Sequence, residues 1–200
     1  MAIAIFDFDG TIFSRDSLAD FLMQTCGKRR FFLYLPLVIG LKLATISGML
    51  STHCAKEKVF TLFLHGMKWQ DFLQACSRYA NRIPRFIYPT ALEQIKQHLI
   101  VGDRVAIISA SVADWIRPWA ESVGIQYVEG TTLEVKNGIL TGKLAGPNCK
   151  GMEKVRQLRQ LFPDFESDTL YVYGDSTGDK EILALATYPH YRTFKHKKRT

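Results

Sequence analysis

Apolar residues recur along this chain with two different spacings, and the switch between them divides it. Ile3 to Phe6 is a short apolar run without polar alternation, which predicts a buried strand. From Ser17 to about Tyr88 the spacing turns helical, with helices predicted over 17–26, 31–47, 54–65 and 69–81. Phe60, Phe63 and Leu64, then Phe72, Leu73, Cys76 and Tyr79, mark the apolar faces of two of them. Pro84 and Pro89 close this block. A helix over 90–100 follows, then a strong strand over Arg104–Ser111. The next helix, 112–123, contains Pro118, whose missing N–H predicts a kink or break. IQYVEG reads as a strand, and Asn137-Gly138 as the turn of a hairpin. Lys150 opens a helix with Val155, Leu158, Leu161 and Phe162 on one face, and TLYVYGDSTGDKEILALA reads as strand, glycine turn and helix.

Strands alternating with helices imply an α/β fold built on a doubly wound parallel sheet. The helical block of about 70 residues after the first strand is too long for a loop and reads as an inserted cap. The expected division is a core over 1–15 and 89–200, a helical cap over 16–88, and a frayed basic tail over 195–200.

Four places along this frame carry chemistry, each at a strand end or a helix start, where open α/β sheets bind their ligands. Asp7 and Asp9 stand two apart after the first strand. Carboxylates so close repel unless one is protonated or a cation lies between them. Ser109 ends the apolar strand VAIIS, where a hydroxyl and helix-start amides suit a phosphate oxygen. Lys150, at a helix start, opposes the helix dipole, which an anionic partner would explain. Asp175 and Asp179 lie in YGDSTGD on a turn after LYVY and are hard oxygen donors suited to Mg²⁺. Each feature alone has an ordinary reading, as a turn cap, a helix N-cap, a solvated lysine or an acidic helix start.

Their order decides. DFDGT, ISAS, CKGMEK and GDSTGD resemble the four motifs of the haloacid dehalogenase superfamily of phosphohydrolases and span nearly the whole chain. The insertion after the first motif resembles the C1 cap of the phosphoserine-phosphatase-like branch, subfamily IB. The resemblance implies a Rossmann-like core in which Asp7 is the nucleophile and forms an aspartyl-phosphate, while Asp9 is the general acid and base. It implies one Mg²⁺ held by Asp7, the Asp9 carbonyl and Asp175, with Asp179 alongside. It also implies that Ser109, Lys150 and the amides around Phe8, Gly10 and Ala110 grip the phosphoryl oxygens, with Thr11 supporting the loop. Asp at position 9 favours a phosphatase within this superfamily. Two departures separate the chain from phosphoserine phosphatases. Ala110-Ser111-Val112 replaces their glycines, and no Glu/Arg pair matches their serine-binding residues.

Composition changes the picture at two points. Four widely spaced cysteines suit reduced thiols in a cytoplasmic protein, and MAIAIF lacks the basic start of a secretory leader. The net charge of +7 gathers in part at Lys28-Arg29-Arg30 and in KHKKRT, without any nucleic-acid motif. The first cluster abuts an apolar run from Phe31 to Leu41, too short for a simple bilayer span. That run fits a buried cap helix or a peripheral contact with an anionic membrane, with the basic tail assisting on the inner face. The expected substrate is therefore a lipid-linked phosphate, such as phosphatidylglycerophosphate, with a small soluble phosphomonoester, a phosphorylated amino acid or amino alcohol, as the alternative. A non-catalytic phosphate-binding or membrane-tethering module is the reading from another class.

Overall fold

A computed structural model of the chain describes residues 1–194. The basic tail 195–200 lies outside the described residues. Five parallel strands form the central sheet in the order β3-β2-β1-β6-β7. They are β1 (Ala2–Phe6), β2 (Arg104–Val112), β3 (Tyr127–Thr131), β6 (Thr169–Gly174) and β7 (Tyr188–Tyr191). β1 lies at the centre, and Ile3, Ala4, Ile5 and Phe6 are fully buried, as an unbroken apolar run with helices on both faces demands. Its register pairs Phe6 with Ile107 and with Tyr173, so the residues that follow all three strands meet at one sheet edge. β7 carries the exposed sequence YPHY with a proline, which hides a strand from any reading of apolar runs.

Four helices stand between β1 and the rest of the core: α1 (Ser17–Cys26), α2 (Lys28–Ile46), α3 (Thr52–Leu64) and α4 (Trp69–Ala80). Asp16 caps α1 by accepting from the Ala19 amide, and Ser51 caps α3 through the Cys54 amide. Phe21, Phe60, Phe63, Phe72 and Trp115 pack in one aromatic cluster that joins these helices to the sheet. α5 (Pro89–Ile100), α6 (Ala113–Ser122), α7 (Met152–Leu161) and the short α8 (Lys180–Leu183) complete the layers.

α6 runs unbroken through Pro118. The proline is the sixth residue of the helix, so only the first-turn carbonyl of Asp114 loses a partner. α2 likewise continues through Pro36. The hairpin β4 (Leu133–Lys136) and β5 (Ile139–Leu144) turns at Asn137-Gly138, both with positive φ, as a tight hairpin turn needs. It folds onto α3: a Cβ on Gly142 would collide with the Thr61 backbone, and backbone bonds link Gly66 and Met67 to Leu140. α7 begins at Met152 behind a Gly151 cap at φ 64°, two residues later than its sequence suggests, which leaves Lys150 in the preceding turn.

Candidate active site

The sheet's central strands deliver Asp7, Asp175 and Asp179 to one place, where a carboxylate oxygen of each lies within 4.8 Å of the others. All three are buried. Gly10 makes their approach feasible. It holds φ 76°, and a Cβ there would run into the Asp175 carboxylate. Its amide donates to the Phe13 carbonyl at 2.6 Å, so Gly10 serves the turn's shape and does not offer that N–H to a phosphate. Gly174 is constrained in the same way, because a Cβ there would press on Asp179.

The lysine of this cluster is Lys154, not Lys150. The Lys154 ammonium donates to Asp7 Oδ1 at 2.7 Å and to Asp179 Oδ1 at 2.6 Å, with its side chain almost wholly buried. Lys150 is exposed and its aliphatic stem lies over Gly178. The difference follows from the late start of α7. With Gly151 as cap, the helix turns Lys154 inward together with Val155 and Leu158.

Electrostatics sort the carboxylates. Burial disfavours the Lys154 ammonium, but the Asp7 and Asp179 charges outweigh it and hold its pKa above the ordinary lysine value. Asp179 is disfavoured by burial too, yet Lys154 and the Ser176 hydrogen bonds bring its pKa below the ordinary value. Asp7 goes the other way: burial raises its pKa, Lys154 offsets this in part, and the neighbouring Asp179 charge adds to the rise. The Lys154 ammonium meets two of these three buried carboxylates, Asp7 and Asp179, and the three together offer hard oxygen donors in one place. That donor set of hard oxygens fits a divalent cation such as Mg²⁺.

Asp9 stands apart from this cluster. Its Oδ2 accepts from the Ser17 amide at 3.2 Å and the Ser111 hydroxyl at 2.8 Å, while its buried Oδ1 has no hydrogen-bond partner. Burial, and then the charge of Asp16, pushes it up to about 7 from an ordinary 3.8, against the pull of the Ser17 and Ser111 hydrogen bonds. Two carboxylates two residues apart thus occupy different environments, one beside an ammonium and one held by the Ser17 amide and the Ser111 hydroxyl.

Ser109 is buried at the end of the regular part of β2, and its hydroxyl accepts from the Ser111 amide at 3.2 Å. The pairing of β2 with β3 shifts register between Ser109 and Val112, a local irregularity of the kind that re-aims side chains beside sites. The Ala110 carbonyl accepts from Lys56 at 2.6 Å. The Phe8 side chain is turned away, stacked on Phe13, so only its backbone faces the cluster. Thr11 is buried behind this turn.

Lys56 is a site residue that the sequence reading passed over. It reaches from α3 to the Ala110 carbonyl and to Asn148 Oδ1, both at 2.6 Å. Burial lowers its pKa to about 8, against the opposing pull of the Asp9 and Asp16 charges. It lines a cavity of about 190 Å³ with Asp9, Asp16, Phe60, Ser111 and Trp115, between the inserted helices and the sheet edge. Lys56 and Lys154 share a signal that was readable. Each lies four residues before an apolar anchor, Phe60 or Leu158, on the buried stripe of its helix.

A parallel sheet with four helices inserted after its first strand and an acidic cluster at its edge fits one class of hydrolase. Over residues 4–184 the chain matches the haloacid dehalogenase-like hydrolase family, to which it belongs. It is similar to protein CicA of Caulobacter vibrioides, 32% identical over 200 residues that cover 98% of this chain and 87% of the relative. Its structure resembles that of a Bordetella pertussis protein of unknown function, with a TM-score of 0.75 at 24% identity, covering 93% of this chain and 87% of that one. A substrate-bound phosphoserine phosphatase has the same fold, with a TM-score of 0.64 at 21% identity over 92% of this chain and 82% of that one. No helix among the described residues is long and apolar enough to cross a membrane.

Proposed function

We propose that the chain is a phosphomonoesterase in which Asp7 attacks phosphorus and Asp9 moves the proton. The observation that carries this reading is the contrast between the two carboxylates of DFDGT. Asp7 lies in the acidic cluster with Lys154 at 2.7 Å, while Asp9 sits with an unpartnered buried oxygen and a pKa pushed up to about 7. A carboxylate kept partly protonated near neutrality suits an acid that protonates a leaving oxygen and then accepts a proton from water. Asp7 is the group left to form the aspartyl-phosphate. Lys154 would orient Asp7 and neutralise charge on the phosphoryl oxygens, and Ser109 would supply a donor from the opposite side.

Asp7, Asp175 and Asp179, with the Asp9 carbonyl, would hold Mg²⁺. When bound, the ion would lower the repulsion between the Asp7 carboxylate and an incoming phosphate. The remaining functions fall to the chain's own residues. The inserted helices wall the cavity with Phe60, and Lys56 would face the leaving-group side. A volume of about 190 Å³ supports a small phosphomonoester, with an acceptor or anionic group that the Lys56 ammonium would meet. A lipid-linked phosphate is the second reading, favoured by the uncovered apolar surface of the cap; only its headgroup would enter this cavity.

The test is release of phosphate from an aryl phosphate with and without Mg²⁺. Activity that requires Mg²⁺ and drops at least about a thousandfold in Asp7→Asn is expected. An inert, correctly folded wild type overturns the reading. A panel of sugar, amino-acid and lipid phosphates then ranks the leaving groups, and Lys56→Met is expected to raise KM for anionic ones more than for the aryl phosphate.

A further inference from the structure

Helix α2 has apolar residues on every side, and such a helix belongs in a core or against another apolar phase. Its inner face is used: Phe31, Tyr34, Leu35, Val38 and Leu41 pack on the aromatic core. Its outer face is not. Phe32, Leu33, Leu37, Ile39, Leu43 and Ile46 are all exposed, Leu33 at 72% and Ile46 at 74%, and Met49 continues the surface at 84%. At 100° per residue these six side chains sweep about half the circumference, on the side opposite the packed stripe. Single exposed leucines need no explanation, but a contiguous patch of this kind marks an interaction surface.

Charge identifies what covers it. From Lys28 to Lys56 the chain contains no Asp or Glu, and Lys28, Arg29 and Lys42 are exposed along the same helix. A second copy docked on this face would bring no carboxylate of this segment to those cations. Anionic lipid headgroups supply the missing charge, and the acyl boundary takes the leucines. Nineteen residues of helix are about 28 Å long, but Lys42 interrupts the apolar run, so the helix cannot span.

We propose that the outer face of α2 lies in the plane of an anionic lipid bilayer. Phe32, Leu33, Leu37 and Leu43 enter the boundary between headgroups and chains, and Lys28 and Arg29 meet the headgroup phosphates. This surface is separate from the acidic cluster and stands or falls independently of the catalytic reading.

Cosedimentation of the full chain with vesicles of phosphatidylcholine, with and without phosphatidylglycerol, tests it. Binding to the anionic vesicles that weakens with salt is expected, with little binding to the neutral ones. The triple variant Leu33→Asp, Leu37→Asp, Leu43→Asp is expected to lower partitioning by at least about tenfold. Lys28→Glu with Arg29→Glu leaves the apolar surface intact and is expected to abolish the preference for anionic vesicles, so a misfolded triple variant does not rescue the proposal. Asp7→Asn is expected to bind like the wild type, and both α2 variants to keep hydrolysis of a soluble aryl phosphate. Absence of binding at low salt overturns the proposal, as does binding unchanged in both α2 variants. A dimer in sedimentation velocity that the triple variant dissolves assigns the face to a second copy and also overturns it.

Discussion

The sheet edge and helix α2 treat buried and exposed groups in opposite ways. At the edge, Asp179 accepts from Lys154, Ser176 and the Asp175 amide, and Asp9 accepts from Ser17 and Ser111, so each carboxylate is oriented by named donors. Along α2, six large apolar side chains meet solvent and few side-chain hydrogen bonds hold the helix to its neighbours. The first region spends stability on fixed geometry, which is what displacement at phosphorus requires. The second leaves apolar surface unsatisfied until something else covers it. Damage to the edge should therefore be felt in the isolated protein, and damage to α2 only when the covering phase is present.

Six substitutions sharpen that contrast, taken from the largest effect to the smallest, with Lys150→Met as the control beside Lys154→Met. Lys154→Met leaves Asp7 and Asp179 without their shared cation. Chemical denaturation in a chelator should show a loss of about 3–5 kcal/mol, with part recovered on adding Mg²⁺. Lys150→Met, four residues away, should change neither stability nor kcat/KM by more than about twofold, as a surface site. Equal effects of the two lysines would erase the distinction between them. Gly10→Ala forces a side chain into φ 76° and into the Asp175 carboxylate, which should cost about 2–3 kcal/mol and weaken Mg²⁺ activation measured by titration of the metal.

Asp9→Asn should do the opposite to stability while destroying activity. A carboxyl whose pKa rises from 3.8 to about 7 on folding opposes folding increasingly as pH climbs through that window, and by a constant amount above it. Replacing it with the neutral amide should stabilise the metal-free protein by about 1–3 kcal/mol at pH 8 and by almost nothing at pH 3.5. Thermal unfolding at the two pH values checks the sign. Smallest of all, Leu33→Ser and Leu43→Ser on α2 should shift unfolding in water by no more than about 0.5 kcal/mol, because those side chains lose little contact. A larger loss would mean that α2 is covered in the free protein.

Much of the frame was legible in the residues, and the failures have physical causes. β1, β2 and β6 are apolar runs without alternation, and four motifs at their ends placed Asp7, Asp9, Ser109, Asp175 and Asp179 near one edge. Lys154 was missed because the helix start was set at Lys150, before Gly151, and a lysine beside Glu153 looks like solvated surface. Lys56 was missed because its partners, the Ala110 carbonyl and Asn148, are distant in sequence. β7 was missed because its four residues carry no buried apolar side chain. Whether α2 was buried or exposed could not be read from a helix with no polar side, since its periodicity names no face.

The hairpin β4–β5 has a consequence for how such proteins can be recombined. It is encoded within the core's half of the sequence, yet its turn and second strand grip the cap through Trp69 and Gly138, Met67 and Leu140, and Leu144 and Glu57. A graft that exchanges residues 16–88 alone would carry away its partner surface and strand Leu140 and Leu144, now buried, in water. The transferable unit is the helical insertion together with residues 133–144. Chimaeras that swap both pieces should express as soluble protein where swaps of the insertion alone aggregate.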